Sequence, residues 1–394
     1  MTGGVALVGL GMTPFGRYPD RSLKDLGSEA VAQALADAGL GTDAIDIAFV
    51  ANAVAGAVIG QLSVVGQSVL RAAGFSGIPV YNIDNACAGS ASALNLAMHA
   101  IRAGAAKTAL VLGVEKICSP DRGVSYRALN GAADVDFVAT TDIDPSSESV
   151  FVKAVYPTRL ARYATMHGLD SATLADIAVK NRAHAEHNPL AQYRTPVSAE
   201  EVLGSRTIVE PVTALMCAPL GDGAAAVVLT AADQVAASQR PVWVTGSAVG
   251  MAGDTPGESY VSRVARQAYA QAGIGAQDLD VLEVHDSIAF NELLAYEELG
   301  LCDPGGGARL VAERATVLGG RVPVNPSGGL ESRGHPIAAT GLAQIVELAT
   351  QLRGEAGPRQ VADARRALAE SAGGFAGGDT AAVAITVLGA EPRR

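Results

Sequence analysis

Aromatic residues, cysteines and positive charge are all scarce in this 394-residue sequence. Only 4% of its residues are Phe, Trp or Tyr, and its formal net charge is −11 at pH 7. Binding to nucleic-acid phosphates needs a basic surface, so the acidic balance argues against a nucleic-acid partner. The four cysteines lie far apart without a C-x-x-C spacing, which indicates free thiols in a reducing cytoplasm.

Long apolar runs are missing as well. Gly, Asn or charged residues interrupt each run well short of the ~20 residues that a membrane-spanning helix requires. The N-terminus has no signal-peptide pattern, and we expect no contact with a membrane. The sequence does contain 49% hydrophobic residues and 45 glycines, which predicts a large, closely packed core. Its length exceeds the roughly 250–300 residues at which one core stops growing, so we expect at least two packed units.

The sequence contains an internal repeat. Residues 33–50 (QALADAGLGTDAIDIAFV) and 267–284 (QAYAQAGIGAQDLDVLEV) match at eight of eighteen positions without a gap. Each copy is typical of a helix end, a Gly stop, a short turn and a strand. A second matching pair, residues 222–230 and 379–387, is separated by 157 rather than 234 residues. The first copy therefore carries about 77 additional residues between its two matching segments.

The additional residues divide the chain into three predicted units. We predict a first half from residues 1–118 and 205–238, an inserted loop domain over 119–204, and a second half over 239–394. Asp, Ser, Thr, His and Tyr become frequent in the insertion. Helices that alternate with strands favour α/β halves with mixed, largely parallel sheets covered by helices. When a duplicated α/β unit packs face to face, the site is expected between its copies.

Cys87 lies at the start of a predicted buried helix. The surrounding stretch, NIDNACAGSASALNLAMHAIRAG, runs from a short polar strand end into small apolar residues. Free N–H groups and the helix dipole at such a start stabilise a thiolate, which makes a cysteine nucleophilic at neutral pH. A small buried hydrophobic residue is the equal alternative on this stretch alone, because most free cysteines are buried.

Two histidines favour the nucleophile. In VHDS, His285 and Ser287 share one face of an extended chain while Asp286 points away, so these neighbours cannot form a Ser-His-Asp triad. In NPSGGLESRGHPIAATG, the glycines permit close backbone approach and His335 precedes an Ala-rich helix. A cysteine and two histidines at strand ends and helix starts suit acyl transfer. A histidine then takes the thiol proton, and backbone N–H groups hold the oxyanion.

A second pair of histidines has the spacing of metal ligands. His184 and His187, in HAEH, lie one helical turn apart, but no third ligand with suitable spacing is visible. We interpret this pair as a solvated helix face and predict no metal.

Four segments together resemble the thiolase superfamily. They are NACAGSASALN around Cys87, CAPLGDGAAAVVL at 217–229, EVHDSIAFNELLAYEELGLC at 283–302 and NPSGGLESRGHPIAATGLAQ at 325–344. The sterol-carrier-protein-X type of thiolase is the branch that they resemble most. The resemblance implies a five-layer αβαβα fold of class α/β, two similar halves with a loop domain inserted in the first, and a homodimer or dimer of dimers.

The resemblance also implies roles for individual residues. Cys87 matches the acylated nucleophile. His335 matches the histidine that activates it and helps bind the thioester oxygen of the second substrate. His285 matches the position that supports the same oxyanion hole through a water. Gly377, in GGFAGGD, is expected to donate a backbone N–H to the acyl-enzyme oxyanion. Ser287 occupies the position at which this branch has a second catalytic cysteine, and a serine is a poor base near pH 7. Cys302 is the remaining nearby candidate for the second catalytic cysteine, but it lies too far along the chain to be assigned that role.

The predicted activity is that of an acyl-CoA C-acyltransferase that cleaves or forms a 3-oxoacyl-CoA. Coenzyme A thioesters are its expected substrates, without a permanently bound cofactor. Arg159, Arg162 and Lys180 in the insertion are expected to meet the CoA phosphates.

Two alternatives to this activity stay open, because Ser287 occupies the position of the cysteine that would act as the second acid and base. One is a decarboxylating, ketosynthase-like condensing enzyme with a Cys-His-His set. The other is a thiolase-like aldolase or acyl-CoA-binding subunit that acts with a small OB-fold partner.

Overall fold

The computed structural model describes residues 3–251 and 259–392 of this mixed α/β chain. Its strands are β1 (Val5–Met12), β2 (Ile47–Ala51), β3 (Val80–Ile83), β4 (Thr108–Glu115), β5 (Thr207–Val209), β6 (Val212–Thr213), β7 (Gly223–Ala231), β8 (Val242–Met251), β9 (Val281–Glu283), β10 (Arg366–Ala376) and β11 (Asp379–Gly389). Its helices are α1 (Leu23–Ala38), α2 (Ala55–Ile59), α3 (Val65–Ala72), α4 (Gly89–Arg102), α5 (Arg122–Asn130), α6 (Val135–Ala139), α7 (Tyr156–His167), α8 (Ser171–Glu186), α9 (Ala199–Gly204), α10 (Tyr260–Ala272), α11 (Ala289–Glu298), α12 (Gly307–Ala312), α13 (Gly329–Arg333) and α14 (Thr340–Leu352). None of these described helices combines the length and hydropathy needed to cross a membrane.

Nine of the strands form one mixed sheet. Its order is β3-β2-β4-β7-β1-β8-β11-β10-β9, while β5 and β6 form a small separate pair. In the first half β2 and β4 run parallel, and the pairs β4–β7 and β7–β1 are antiparallel. In the second half β9 and β10 run parallel, and the pairs β10–β11 and β11–β8 are antiparallel. The halves therefore repeat the same strand directions, and they meet where β1 pairs antiparallel with β8.

The repeat in the sequence coincides with this duplicated architecture. Gly39 and Gly273 end α1 and α10 in the left-handed conformation, with φ angles of 66° and 72°. Each is followed by a 3₁₀ turn and then by the equivalent strands β2 and β9. Glycine suits these two positions because a Cβ atom makes a positive φ costly.

Helices cover both faces of the sheet and fill the space between the halves. α1 and α3 pack on the outer face of the first half, and α10 packs on β8 and β11 of the second. α4 and α14 contact each other and strands of both halves. The central strands β4 and β7 are buried along almost their whole length, which explains their mainly apolar sequences. α4 and α14 thus lie between the two halves of the sheet, and the order helix, half-sheet, helix, half-sheet, helix confirms the predicted five-layer αβαβα arrangement.

The inserted segment is mainly helical. Helices α5 to α9 all lie within residues 119–204, and a π-helical turn at Phe151–Val155 leads directly into α7. α8 packs against α11 and α13 of the second half. The insertion of the first half thus reaches across to the second, and the boundaries of the three units stay a prediction.

Candidate active site

Cys87 lies in the 3₁₀ turn Ala86–Ala88, between the end of β3 and the first turn of α4. Asp84 accepts a hydrogen bond from the N–H of Ala86 at 2.9 Å and supports the turn. The main chain of β10 packs directly against it: a Cβ atom at Gly373 would lie 2.3 Å from the Asn85 carbonyl oxygen. The second half therefore fixes the position of a cysteine that belongs to the first.

His285 follows the end of β9. Its backbone N–H donates to a Glu370 carboxylate oxygen at 2.7 Å, which attaches the segment to β10. The neighbouring Asp286 is fully buried and accepts from the N–H of Leu330 at 2.7 Å. His285 and Ser287 both line one cavity, and Asp286 lies away from it. The side chains of these three residues therefore alternate in direction, as predicted for an extended chain, and His285, Asp286 and Ser287 form no triad.

His335 follows α13, and Thr340 at the start of α14 holds its ring. His335 Nδ1 lies 2.7 Å from the Thr340 hydroxyl oxygen, which in turn lies 3.2 Å from the Pro336 carbonyl oxygen. A carbonyl oxygen can only accept, so the Thr340 hydroxyl donates to Pro336 and accepts from an N–H at Nδ1. This tautomer leaves Nε2 of His335 unprotonated and able to act as a base.

Cys87, His285 and His335 meet in a cavity lined by both halves. The Cys87 Sγ and one ring nitrogen of each histidine lie within 4.8 Å of one another. The two imidazole rings are edge to face, with centroids 5.1 Å apart. Three distant segments thus bring together the residues that the motifs predicted. The same donor atoms have the composition of a metal-binding set, so the absence of a metal stays a prediction.

Burial favours the neutral form of all three groups. It raises the pKa of the Cys87 thiol to about 12, although hydrogen bonds from the N–H groups of Gly374 and of Cys87 itself act in the opposite direction. Burial, assisted by Arg333, lowers the pKa of His285 to about 3. Burial, then His285 and Arg333, lowers the pKa of His335 well below its ordinary value. The helix start is expected to stabilise a thiolate, but the loss of solvation outweighs it here.

The backbone donor beside Cys87 is Gly374 rather than Gly377. The Gly374 N–H is hydrogen-bonded to Cys87. Gly377 lies in the exposed turn between β10 and β11, where a Cβ atom would have no neighbour within 4 Å. The structure therefore corrects the choice of Gly377 by three residues. The sequence GGFAGGD contains four glycines, and nothing in their spacing shows which one faces Cys87.

Ser287 belongs to a polar group in the wall of the cavity. Its Oγ lies 3.0 Å from the Tyr156 hydroxyl oxygen and accepts from the side-chain N–H of Asn291 at 2.7 Å. Tyr156 is the first residue of α7 and lines the same cavity. Sequence analysis misses Tyr156 because it lies 131 residues from Ser287 and in none of the four motifs.

Cys217 is a second cysteine in the cavity wall, whereas Cys302 does not line it. Cys217 forms a β-bridge with Ile288, next to Ser287. Its Sγ donates to the Thr213 carbonyl oxygen at 3.4 Å, and burial raises its pKa to about 12. A signal for this residue exists in the sequence, since Cys217 opens the motif CAPLGDGAAAVVL.

The three basic residues expected at the CoA phosphates lie in different environments. Lys180 is buried and ion-paired with Glu292, so its charge is not available to a phosphate, which corrects the expectation for this residue. Arg159 lines the cavity and is ion-paired with Asp379. Arg162 is exposed on α7. Of the three, Arg162 retains the surroundings that a phosphate ligand needs.

Only one of the two histidines of the HAEH motif is exposed to solvent, as the sequence predicts for both. His184 is buried, with Nδ1 at 3.0 Å from the Asn325 carbonyl oxygen and Nε2 accepting from the N–H of Leu318 at 3.0 Å. Burial lowers its pKa to about 3. Its partner in the motif, His187, is exposed. Because both ring nitrogens of His184 bond to backbone groups, it has no lone pair left for a metal.

Two family models together match almost the whole chain. The model described as thiolase, N-terminal domain, matches residues 5–233, and the model described as thiolase C-terminal domain-like matches residues 244–386. The chain belongs to the thiolase family. The two matched regions correspond to the two halves of the thiolase sheet, from β1 to β7 and from β8 to β11.

This thiolase is similar to curated relatives over most of its length. It is 35% identical over 389 residues to the acetyl-CoA acetyltransferase of Methanothermobacter thermautotrophicus, covering 97% of this chain and 98% of the relative. It is 35% identical over 384 residues to sterol carrier protein 2 of Bos taurus, covering 94% and 70%. It is 33% identical over 368 residues to benzoylsuccinyl-CoA thiolase subunit BbsB of Thauera aromatica, covering 91% of each. The protein is therefore an acyltransferase of the thiolase family.

Solved structures show the same fold. Human mitochondrial 3-ketoacyl-CoA thiolase has a TM-score of 0.71 at 17% identity, covering 98% of this chain and 99% of that one. A structure of that enzyme in complex with CoA also has a TM-score of 0.71, at 18% identity and 98% coverage of each chain. The Ltp2-ChsH2(DUF35) aldolase has a TM-score of 0.79 at 24% identity, covering 98% and 97%. These likenesses concern the fold alone.

Proposed function

We propose that this thiolase is an acyl-CoA C-acyltransferase that works through an acyl-enzyme on Cys87 and cleaves or forms a 3-oxoacyl-CoA. The observation that carries the proposal is the arrangement of Cys87, His285 and His335, whose reactive atoms lie within 4.8 Å of one another. The N–H groups of Cys87 and Gly374 are directed at the same sulfur. A nucleophile, a base and backbone donors at one point are the parts that acyl transfer requires.

In the cleavage direction, Cys87 attacks the 3-oxo carbon of the substrate while Nε2 of His335 accepts the thiol proton. The N–H groups of Cys87 and Gly374 stabilise the negative charge that develops on the former keto oxygen. The bond between carbons 2 and 3 then breaks, and a shortened CoA ester leaves after its carbon 2 takes up a proton. The thiol of a second CoA attacks the acyl-enzyme and releases its proton, which replaces the one given to carbon 2, while the His335 proton returns to Cys87.

His285 and His335 also lie where they could support the thioester oxygen of the second substrate. His285 is held neutral by burial, so one of its ring nitrogens carries an N–H and the other a lone pair. A neutral imidazole N–H can donate to a developing enolate oxygen, directly or through a water. Arg162, exposed on α7, remains the proposed contact for a CoA phosphate.

Incubation with acetyl-CoA followed by intact-protein mass spectrometry tests the acyl-enzyme. We expect an acetyl adduct on the wild-type chain and none on Cys87→Ala, because the thiol is the attacking group. Cys217→Ala is the matched control, since it removes another cysteine of the same cavity, and its adduct should persist. A wild-type chain that never forms the adduct would exclude this mechanism.

A homodimer in the cytoplasm is also proposed. Four free cysteines are consistent with a reducing compartment. β3 lies at an open edge of the nine-stranded sheet, and its Tyr81 is 52% exposed. Leu62, in the segment between α2 and α3, is 80% exposed. An unpaired edge with apolar side chains is suited to pairing with a second copy. Light scattering of the purified chain measures the assembly.

A decarboxylating condensing enzyme is the second candidate, and Ser287 is the observation that favours it. Loss of CO₂ from a malonyl thioester generates a carbanion without a second base, and a Cys-His-His set is then sufficient. A product that forms with malonyl-CoA and not with acetyl-CoA would support this reaction. Co-purification with a small OB-fold protein would support the aldolase or subunit alternative.

A further inference from the structure

The proposed thiolase reaction needs a proton donor and acceptor for carbon 2 of the departing or attacking CoA ester. A serine hydroxyl alone is far too weak an acid and base for this step near pH 7. The contacts around Ser287 bear directly on this step. The inference rests on the proposed function, since it assigns a proton path within the same reaction.

Ser287 Oγ has two neighbours at hydrogen-bond distance that restrict its own proton. The side-chain N–H of Asn291 can only donate, and it occupies one lone pair of Ser287 Oγ at 2.7 Å. The Tyr156 hydroxyl lies 3.0 Å away and can donate to the second lone pair. When it does, neither partner accepts the hydroxyl hydrogen of Ser287. Because Ser287 lines the cavity that contains Cys87, this hydrogen can point into that cavity.

Tyr156 is positioned to exchange a proton with the cavity through this serine. It begins α7, lines the cavity, and shares it with Cys87, Cys217 and Arg159. Cys87, Cys217 and Arg159 are also the titratable groups whose charges influence the pKa of the Tyr156 hydroxyl. A phenol has an ordinary pKa of about 10, between that of a thiol and that of an alcohol, so it can hold a transferable proton.

We propose that Tyr156 and Ser287 form a proton relay that takes the place of the second catalytic cysteine. In cleavage, Ser287 gives its hydroxyl proton to carbon 2 as the bond to carbon 3 breaks, and Tyr156 gives its proton to Ser287 Oγ. The phenolate then recovers a proton through Ser287 from the thiol of the incoming CoA, whose sulfur attacks the acyl-enzyme. In condensation both transfers run in reverse. Asn291 holds the serine oxygen between the two partners.

Other groups in the cavity wall are less suited to this role. The Cys217 thiol donates to the Thr213 carbonyl oxygen at 3.4 Å and so points its proton at the main chain. Glu370 accepts the N–H of His285 at 2.7 Å, and Glu298 accepts from the Ser259 hydroxyl at 2.5 Å. Each of these groups bonds to a partner other than Ser287 or Tyr156, whereas Ser287 and Tyr156 bond to each other.

A double-mutant cycle tests the relay on thiolysis of acetoacetyl-CoA. Tyr156→Phe should lower kcat about 100-fold in the wild-type chain, the scale of a lost general acid. In a Ser287→Cys chain the cysteine is itself an acid and base, so the same Tyr156→Phe change should cost less than about 3-fold. A merely structural tyrosine would cost the same in both chains, and that result would overturn the proposal.

The pH profile gives an independent readout. Burial raises the pKa of Tyr156 to about 12, so kcat of the wild-type chain should show no alkaline decline up to pH 9.5. A wild-type profile that already falls near pH 8.5 would contradict the relay.

Failure of the relay and failure of the acyl-enzyme are distinguishable. A thiolate leaves an acetyl thioester without protonation, so Tyr156→Phe should still reach the same final amount of acetyl adduct on Cys87, which also shows that it is folded. An absent adduct in the wild-type chain refutes the acyl-enzyme and the relay together. A normal adduct with unchanged turnover in Tyr156→Phe refutes the relay alone. A 100-fold loss in Cys217→Ala would assign the proton to that thiol and refute the relay as well.

Discussion

At Cys87 two physical effects compete. The start of α4 and two backbone N–H groups favour a thiolate, and burial opposes it and dominates, which raises the pKa to about 12. His335 is neutral for the same reason. The resting pair is therefore a thiol and an imidazole rather than a thiolate and an imidazolium, and the proton moves only when the sulfur attacks.

Alkylation by iodoacetamide measures this charge state. Since only the thiolate reacts, the rate at Cys87 should rise about tenfold per pH unit from pH 7 to pH 10 without a plateau. Mass spectrometry of the Cys87 peptide gives the rate separately from the other cysteines. His335→Ala should leave the slope unchanged, because a neutral imidazole does not lower the thiol pKa. A plateau below pH 9 would indicate an ion pair instead.

The sequence is most informative about residues that lie in contiguous motifs. Cys87, His285 and His335 are each flanked by residues that mark a strand end or a helix start, so local patterns reveal them. Tyr156 has no such flank, and its role depends on tertiary packing across 131 residues. Lys180 is the opposite case, because the sequence assigns it a role that the fold excludes. Its charge predicts an exposed contact for phosphate, but its ammonium group is buried against the Glu292 carboxylate.

At the scale of the element, β10 holds the Cys87 turn by backbone contact. Gly373→Ala places a Cβ atom 2.3 Å from the Asn85 carbonyl oxygen, so strand and turn must separate. A displacement approaching 1 Å at a reacting group costs about 100-fold in rate, and we expect a loss of that size in acetyl transfer. Steady-state kinetics of acetoacetyl-CoA thiolysis measure it.

Gly377→Ala is the matched control on the same strand pair. Its φ of 61° makes alanine unfavourable by about 1–2 kcal/mol, but the side chain meets nothing within 4 Å. The melting temperature should fall while kcat stays within a factor of two. If Gly377→Ala instead abolished transfer and Gly373→Ala did not, the assignment of Gly374 as the backbone donor would be wrong.

Elements with regular apolar spacing are predictable, and elements stabilised by polar burial are not. The repeat predicts the helix–turn–strand units that the structure shows at α1–β2 and α10–β9. In the insertion, the sequence places the motif HAEH on a helix, but it does not predict the bounds of the five helices that the structure shows. In α8, buried Lys180, Asn181 and His184 bond to other buried groups, so the apolar period that identifies a helix is interrupted. Only the satisfied hydrogen bonds explain why such residues are inside.

At the scale of the whole molecule, buried carboxyl groups make stability depend on pH. Burial raises the pKa of Glu115 and Glu370 to about 7, above the 4.5 of an ordinary Glu. Between these values the folded chain holds protons that the unfolded chain has released, so stability falls as pH rises through this window. His184, His285 and His335 act in the opposite direction, mainly below the ordinary histidine pKa of 6.5 and only weakly above it.

The melting temperature should therefore be lower at pH 8 than at pH 6.5, because the loss from the carboxyl groups exceeds the gain from the buried histidines, which are only half protonated in the unfolded chain at pH 6.5. Each such group accounts for about 1 kcal/mol between these pH values. Circular dichroism at both pH values measures the difference. Glu115→Gln, which cannot ionise, should show a smaller difference than the wild-type chain. A stability that rises from pH 6.5 to pH 8 would contradict the buried, protonated state.

The division of the site between the halves has a consequence for biosynthesis. Cys87 leaves the ribosome roughly 250 residues before His335 and roughly 290 residues before Gly374. At about 5–20 residues per second, this interval lasts for tens of seconds. Throughout it the nascent cysteine lacks the histidines and the β10 donor, and its reactivity is that of an unassisted thiol. The order of synthesis thus delays enzyme-catalysed acylation of Cys87 until the last strands have folded.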